Sequence, residues 1–192
     1  MNKTYISAQQ LLEDSFNLAI QIYESGFRPD YIVGVWRGGA PVGIAVQEMF
    51  DVLGVHCDHI AIRTSSYTGI GERSKQVKVH GLTYLINRVE SEQNLLIVDD
   101  VHDSGLSIHQ TIVDLTERCK KNTPTIKVAT PYYKPKNNKT QRVPDYFLYE
   151  SDEWLVFPHE LEGLTKEELL ESRPELNSMI HKLEDLGAFK DR

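Results

Sequence analysis

A chain of 192 residues is long enough to bury a full hydrophobic core in one domain, with room for a small appendage. Its formal charge of −7 excludes a dedicated nucleic-acid binder, which needs a basic face, but leaves room for a local basic pocket. No run of about 18 apolar residues offers a membrane helix, no apolar stretch follows Met1 as in a signal peptide, and two cysteines without a CxxC spacing, Cys57 and Cys119, suit reduced thiols in a cytosol.

In chain order, Ser7 with Gln10 forms a capping box. Leu12, Phe16, Ala19, Ile20 and Tyr23 trace one face of the helix it opens, and Gly26 stops it. After a Pro29-Asp30 turn, residues 31–35 form a buried strand. The turn Trp-Arg-Gly-Gly-Ala-Pro at 36–41 follows, and a helix is predicted over 42–50 with Pro41 in its first turn. Gly38 and Gly39 let a ligand approach the main chain, although the turn is neither a Walker loop nor a GxGxxG fingerprint. A strand over 58–63 comes next; His56, Cys57 and His59 beside it have no second cluster to complete a metal site. The polar stretch 63–75, with Gly69 and Gly71, reads as a long loop between strands, and long polar loops in compact domains are often lids.

The most distinctive stretch is 95–107, Leu-Leu-Ile-Val-Asp-Asp-Val-His-Asp-Ser-Gly-Leu-Ser. Four apolar residues suit a strand buried on both faces. Three carboxylates follow, Asp99, Asp100 and Asp103, then a turn of small and hydroxyl residues, then a helix with Ile108, Ile112, Leu115 and Cys119 on one face. A strand feeding a tight turn and a helix aims unpaired N–H groups at the turn, which attracts phosphate. The acid pair upstream cannot hold phosphate; it suits sugar hydroxyls or a divalent cation. From these residues alone, the stretch is a sugar-phosphate site.

It also resembles the phosphoribosyl diphosphate (PRPP) binding signature of type I phosphoribosyltransferases: a hydrophobic run, two acids, two variable residues, then Asp-Thr/Ser-Gly-x-Thr/Ser. Ser104 and Ser107 keep both hydroxyls where threonine is commoner. The resemblance gives the earlier turn a meaning, since Arg37-Gly38 matches the family's pyrophosphate loop and implies a non-proline cis peptide there. Ser65, Ser66 and Tyr67 resemble the start of the mobile loop that closes over the site in 6-oxopurine transferases, where water must be excluded.

Residues 125–130 form a strand by their β-branched content. Lys134 follows shortly after, then a polar stretch, 136–142, that reads as a solvated hairpin tip. A strand over 146–149 precedes Asp152, Trp154, Leu155, Pro158 and Glu160. Lys134-Pro135 with this last set resembles the base-binding half of bacterial xanthine-guanine phosphoribosyltransferases. By that resemblance Lys134 donates to the purine 6-oxygen, Trp154 stacks on the ring, Leu155 offers backbone groups to its edge, and Glu160 stands near the metal and diphosphate. Thr165 with Glu168, and then Pro174, open two short helices of a tail read as covering or oligomer-contact structure.

The implied fold is α/β: an open, mostly parallel twisted sheet flanked by helices, with a small hood subdomain. Residues 1–162 form the transferase domain with its hood, and 163–192 a helical C-terminal extension. The resemblance implies a cytoplasmic purine-salvage enzyme that uses Mg2+ and moves 5-phosphoribose from PRPP to xanthine, guanine or hypoxanthine, yielding the nucleoside monophosphate and diphosphate. It implies no nucleic-acid or membrane partner, and a homo-oligomer, dimer or tetramer. Arg37, Gly38, Asp99, Asp100, Asp103, Ser104, Gly105, Leu106 and Ser107 are the expected PRPP contacts. Asp99, Asp100 and Glu160 are the expected metal contacts, and Asp103 the catalytic group. The competing function is a PRPP-sensing regulator on the same fold, without useful catalysis; Asp103 and Lys134 together with the acidic charge favour the enzyme.

Overall fold

The computed structural model describes residues 3–68 and 75–189. Residues 12–152 form one compact unit, and residues 1–11 with 153–192 form another. The first strand, β1 (Lys3–Tyr5), belongs to the smaller unit. Helix α1 (Ala8–Glu24) carries the chain into the larger one. Its start is as the sequence predicts, the Gln10 N–H donating to Ser7 Oγ at 3.0 Å.

The larger unit is built on β2 (Tyr31–Trp36), α2 (Gly39–Val52), β3 (Asp58–Thr68), β4 (Lys75–His80), the short α3 (Thr83–Ile86), β5 (Asn94–Val98), β6 (Val101–His102), α4 (Leu106–Cys119), β7 (Thr125–Tyr133) and β8 (Tyr146–Glu150). The strands lie in the order β4-β3-β2-β5-β7, with β8 on the far edge of β7. Only the β3–β4 pair is antiparallel. The sheet is thus open and mostly parallel, in the α/β fold the alternating pattern predicts. β5 and β6 pair with β7 in one unbroken register, so β6 continues the line of β5 past a break at Asp99 and Asp100.

The central strands are apolar on both sides because both are covered. On one face Tyr31, Val33, Val35, Leu95 and Ile97 pack with Ile108, Leu115 and Cys119 of α4 and with Leu82, Leu85 and Val89. On the other, Ile32 and Leu96 are equally buried, and Gly43 of α2 sits directly over Gly34. Asp14 ties α1 to the far strands, its buried carboxylate accepting from the hydroxyls of Tyr132 (3.3 Å) and Tyr149 (3.0 Å).

Three local readings change. The stretch 63–68, expected as the start of a loop, is the second half of β3 and pairs with β4. Residues 136–142 are not a hairpin tip, since β8 runs parallel to β7. β7 also runs on through Pro131 to Tyr133. At the observed register Pro131 lies opposite Asp100, in the break between β5 and β6, where its missing N–H interrupts little.

In the smaller unit β1 pairs in parallel with β9 (Trp154–Val156). The tail packs there too, through α5 (Lys166–Ser172), a 3-10 turn Pro174–Met179 and α6 (Ile180–Asp185). Val156, Leu164, Leu169 and Ile180 form its core, with Tyr5, Leu176 and Leu183 packed against them. The predicted capping box is present in full, Thr165 and Glu168 each accepting from the other's backbone N–H. No helix is long and apolar enough to cross a membrane among the described residues.

Candidate active site

The strand order reverses between β2 and β5: the chain leaves β2 through α2 for β3 on one side, and leaves β5 through α4 for β7 on the other. The crevice at the carboxyl ends of two such strands is where open α/β sheets bind ligands. The turn after β2 carries Arg37, Gly38 and Gly39, and the turn after β5 carries the three acids and Ser104, Gly105, Leu106 and Ser107. Adjacent strands therefore present both turns at one place.

Each turn ends in a helix N-terminus with a glycine at its cap, Gly38 for α2 and Gly105 for α4, and neither cap carries a side-chain hydrogen bond. Two such ends offer positively polarised N–H groups to anions. The two glycines are required for different reasons. Gly38 has ordinary right-handed helical angles, but a Cβ there would fall on the carboxylate of Asp100, so the two turns touch. Gly105 has φ +73°, a left-handed conformation, and a Cβ there would lie 2.7 Å from His102 Nε2 and 2.8 Å from Thr140 Oγ1. The non-proline cis bond joins Trp36 to Arg37, one bond earlier than the resemblance implies. Arg37 itself is exposed at the mouth of the turn.

Burial pushes the Asp99 carboxyl well above the ordinary carboxylate range, and the charge of Asp100 pushes the same way. The Asp100 N–H, donating to Asp99 Oδ1 at 3.0 Å, opposes both. Two hard oxygen donors held against mutual repulsion fit a Mg2+ ion, which characteristically takes one or two carboxylates and completes its shell with water and substrate phosphate. No group of three or more His, Cys, Asp or Glu side chains that could hold a metal occurs among the described residues. Glu160 lies in the smaller unit, where its Oε2 accepts the Phe157 N–H at 3.1 Å. The histidines near Cys57 are likewise occupied, His56 with Asp51 at 2.8 Å and His59 with Gln47 at 3.0 Å, and burial pushes the Cys57 thiol up to about 12.

Asp103 stands at the open side of the turn, its side chain 48% exposed, with Lys134 Nζ 3.9 Å away. Lys134 is by contrast buried, with 11% of its side chain exposed, and the Lys134 N–H donates to the His102 carbonyl at 2.9 Å. The extra length of β7 is what places this lysine beside the acid. The stretch 136–142, which reads from sequence as a solvated tip, packs against the phosphate turn: the Lys139 N–H donates to the Ser104 carbonyl at 3.0 Å, and Thr140 and Asn138 lie beside Gly105. Thr64 of β3 donates to Ser107 Oγ at 3.3 Å. No local pattern in the sequence marks these supporting contacts. Ser65, Ser66 and Tyr67 lie on the antiparallel ladder with β4, and residues 69–74, the tip of the expected lid, lie outside the described residues.

In the smaller unit the Trp154 ring is 55% exposed. The Ile6 N–H bonds the Val156 carbonyl at 2.9 Å, which fixes the phase of the β1–β9 ladder. Because the polar groups of successive strand residues point to opposite edges, Leu155 N–H and C=O face the edge of β9 away from β1.

These features define a class: an open α/β protein with two helix N-termini and an acid pair at its topological switch point. The chain belongs to the phosphoribosyl transferase domain family, whose model matches residues 2–163, and its fold is the type I fold of that family. Among solved structures it is similar to a purine phosphoribosyltransferase from Pyrococcus horikoshii, at 28% identity and TM-score 0.62 over 86% of this chain and 99% of that one. It is also similar to a hypothetical protein from Neisseria gonorrhoeae with bound ppGpp (20%, TM-score 0.69, 84% and 91%). A third is the Helicobacter pylori xanthine-guanine-hypoxanthine phosphoribosyltransferase (22%, TM-score 0.65, 81% and 92%). No curated protein matches the chain by sequence.

Proposed function

We propose that this chain transfers 5-phosphoribose from PRPP to a 6-oxopurine, giving the nucleoside 5′-monophosphate and diphosphate. The observation that carries the reading is the pairing of two glycine-led helix N-termini around an acid pair at the switch point. A molecule with a phosphate at one end of a ribose and a diphosphate at the other fits that pattern of charge. The turn holding Asp103, Ser104, Gly105, Leu106 and Ser107 binds the 5′-phosphate, while Arg37 and Gly38 bind the diphosphate. Asp99 and Asp100 hold the ribose hydroxyls and a Mg2+ ion, which when bound neutralises charge on the leaving diphosphate.

In the reaction the C1′–O bond to diphosphate breaks with its electron pair leaving on oxygen, and the purine N9 lone pair forms the new bond to C1′. Backbone N–H groups at the Gly38 turn stabilise the charge growing on diphosphate. The purine must lose a proton, and Asp103, exposed and facing Lys134, accepts it from N7. Lys134 donates to the 6-oxygen, Trp154 stacks on the ring and Leu155 binds its edge through the main chain. The purine assignment is supported by the exposure of Trp154, by the Leu155 main-chain groups facing away from β1, and by the purine enzymes among the similar structures. The test is 31P NMR of the purified chain with PRPP and MgCl2. Diphosphate should appear only when a purine is added, together with a nucleotide resonance of half its integrated intensity, since diphosphate carries two phosphorus atoms and the nucleotide one; base-independent PRPP hydrolysis would reject the assignment.

A further inference from the structure

The tail carries a charge that its surface role does not require. Arg173 follows α5 and is 1% exposed. No carboxylate among the described residues pairs with it. Nη1 donates to the Ser172 carbonyl at 3.0 Å, an ordinary contact for a cation at a helix C-terminus. Nη2 instead reaches back to two carbonyls of the segment after Trp154, Val156 at 3.1 Å and Phe157 at 2.9 Å, while Nε has no partner. A guanidinium buried with one donor unsatisfied is an expensive way to fill space that a leucine or methionine could fill. What it does that an apolar side chain cannot is give a second, charged donor to two carbonyls that each already accept a backbone N–H, Val156 from Ile6 and Phe157 from Glu160 at 3.0 Å, while its guanidinium lies 5.8 Å from the centre of the Tyr5 ring.

The same short segment is held from two other sides: Ile6 N–H bonds the Val156 carbonyl, and Glu160 accepts the Phe157 N–H. These bonds to Val156 and Phe157 hold the strand end immediately beyond Leu155. We propose that Arg173 is a positioning residue for base recognition, locking the β9 main chain so that Leu155 N–H and C=O stay aligned with the purine edge while Trp154 covers its face. The C-terminal tail is then part of the base-binding apparatus, and α5 is the brace that delivers the guanidinium.

This inference rests on the purine reading of Trp154 and Leu155, so two readouts are taken on Arg173→Met and Arg173→Lys. In steady-state transfer assays R173M raises KM for the purine at least tenfold and leaves KM for PRPP within twofold, with R173K between R173M and wild type. By hydrogen exchange, R173M speeds exchange of the Leu155 to Phe157 amides at least tenfold and leaves the Leu169 amide, inside α5, within twofold. Unchanged purine KM in an active R173M enzyme overturns the proposal, as does a uniform loss of protection through α5 and β9, which marks a merely structural arginine. If R173M does not fold, R173K carries both tests alone. If wild type transfers to no purine, the reading of the base site fails by itself, and the exchange pattern still decides whether Arg173 locks β9.

Discussion

Replacing Asp99 by asparagine separates the electrostatics of the acid pair from its shape. Asparagine keeps an oxygen to accept the Asp100 N–H now donated at 3.0 Å, so the local backbone is unchanged. It removes a charge that is disfavoured by burial and by Asp100. Like charges about 4 Å apart repel by about 4 kcal/mol at an effective dielectric near 20, and the charge-assisted bond from Asp100 N–H returns about 1.5–3 kcal/mol. The remainder, about 1–2.5 kcal/mol, is the gain in stability expected for D99N in the absence of ligands. At about 2–4 °C per kcal/mol for a chain of this size, the midpoint rises by about 2–10 °C. The pH dependence follows from the raised pKa. The folded chain keeps the Asp99 proton to higher pH than the unfolded chain, which releases it near about 3.9. This contribution to wild-type stability is thus complete below that value and is lost as pH rises through the folded pKa. Thermal unfolding in EDTA at pH 5 and pH 8 should show D99N ahead of wild type at pH 8, with a smaller gap at pH 5. With Mg2+ and PRPP the order reverses, because ligand stabilises only the intact pair. A D99N protein less stable than wild type at pH 8 in EDTA, or a gap that widens towards acid, refutes the electrostatic reasoning.

Asp103→Ala should lower kcat by about 10²–10⁴ while PRPP binding is largely retained, and Asp100→Ala should weaken PRPP binding instead; calorimetry with PRPP and Mg2+ beside steady-state rates checks the split, and equal small effects from both contradict it. Trp154→Ala should raise the purine KM by about 5–150-fold, from about 1–3 kcal/mol of stacking. Its unfolding midpoint should stay near wild type because the ring is exposed, and a large destabilisation would mark a core aromatic. Gly105→Ala meets both a positive φ and close neighbours, whereas Gly26→Ala has a similar φ of +86° and nothing within 4 Å. Denaturant titration should show G26A costing about 1 kcal/mol and G105A at least twice that; equal losses would mean the crowding by His102 and Thr140 is absent.

The parts of this molecule that announce themselves locally were legible in the sequence. The buried strands β2 and β5 have apolar runs, α1 and α5 carry capping boxes, and the acids followed by Ser-Gly-Leu-Ser fall in one short stretch. Elements fixed by distant partners were not. β1, β6 and β9 have two or three residues, too few for periodicity, and exist because a neighbouring strand is there to pair with. β7 was cut short at Pro131 because proline normally ends a strand, and only the break in the opposing strand permits it to continue. The stretch 136–142 is polar in sequence whether it waves in solvent or braces Gly105, and the Ser104–Lys139 bond alone distinguishes the two. Arg173 similarly reads as an ordinary C-terminal cation until the carbonyls of Val156 and Phe157 are brought to it.

The most direct test of the central claim is a base-competition assay with the purified chain, PRPP and Mg2+, measuring kcat/KM for hypoxanthine, guanine, xanthine, adenine, uracil and orotate. At least one of the three 6-oxopurines should exceed adenine, uracil and orotate by about 100-fold or more, the preference over adenine set by an acceptor oxygen that the Lys134 ammonium can bind and that over the pyrimidines by the larger ring that Trp154 can stack on. Preference for adenine or a pyrimidine, or PRPP binding with no nucleotide formed from any base, would contradict the account.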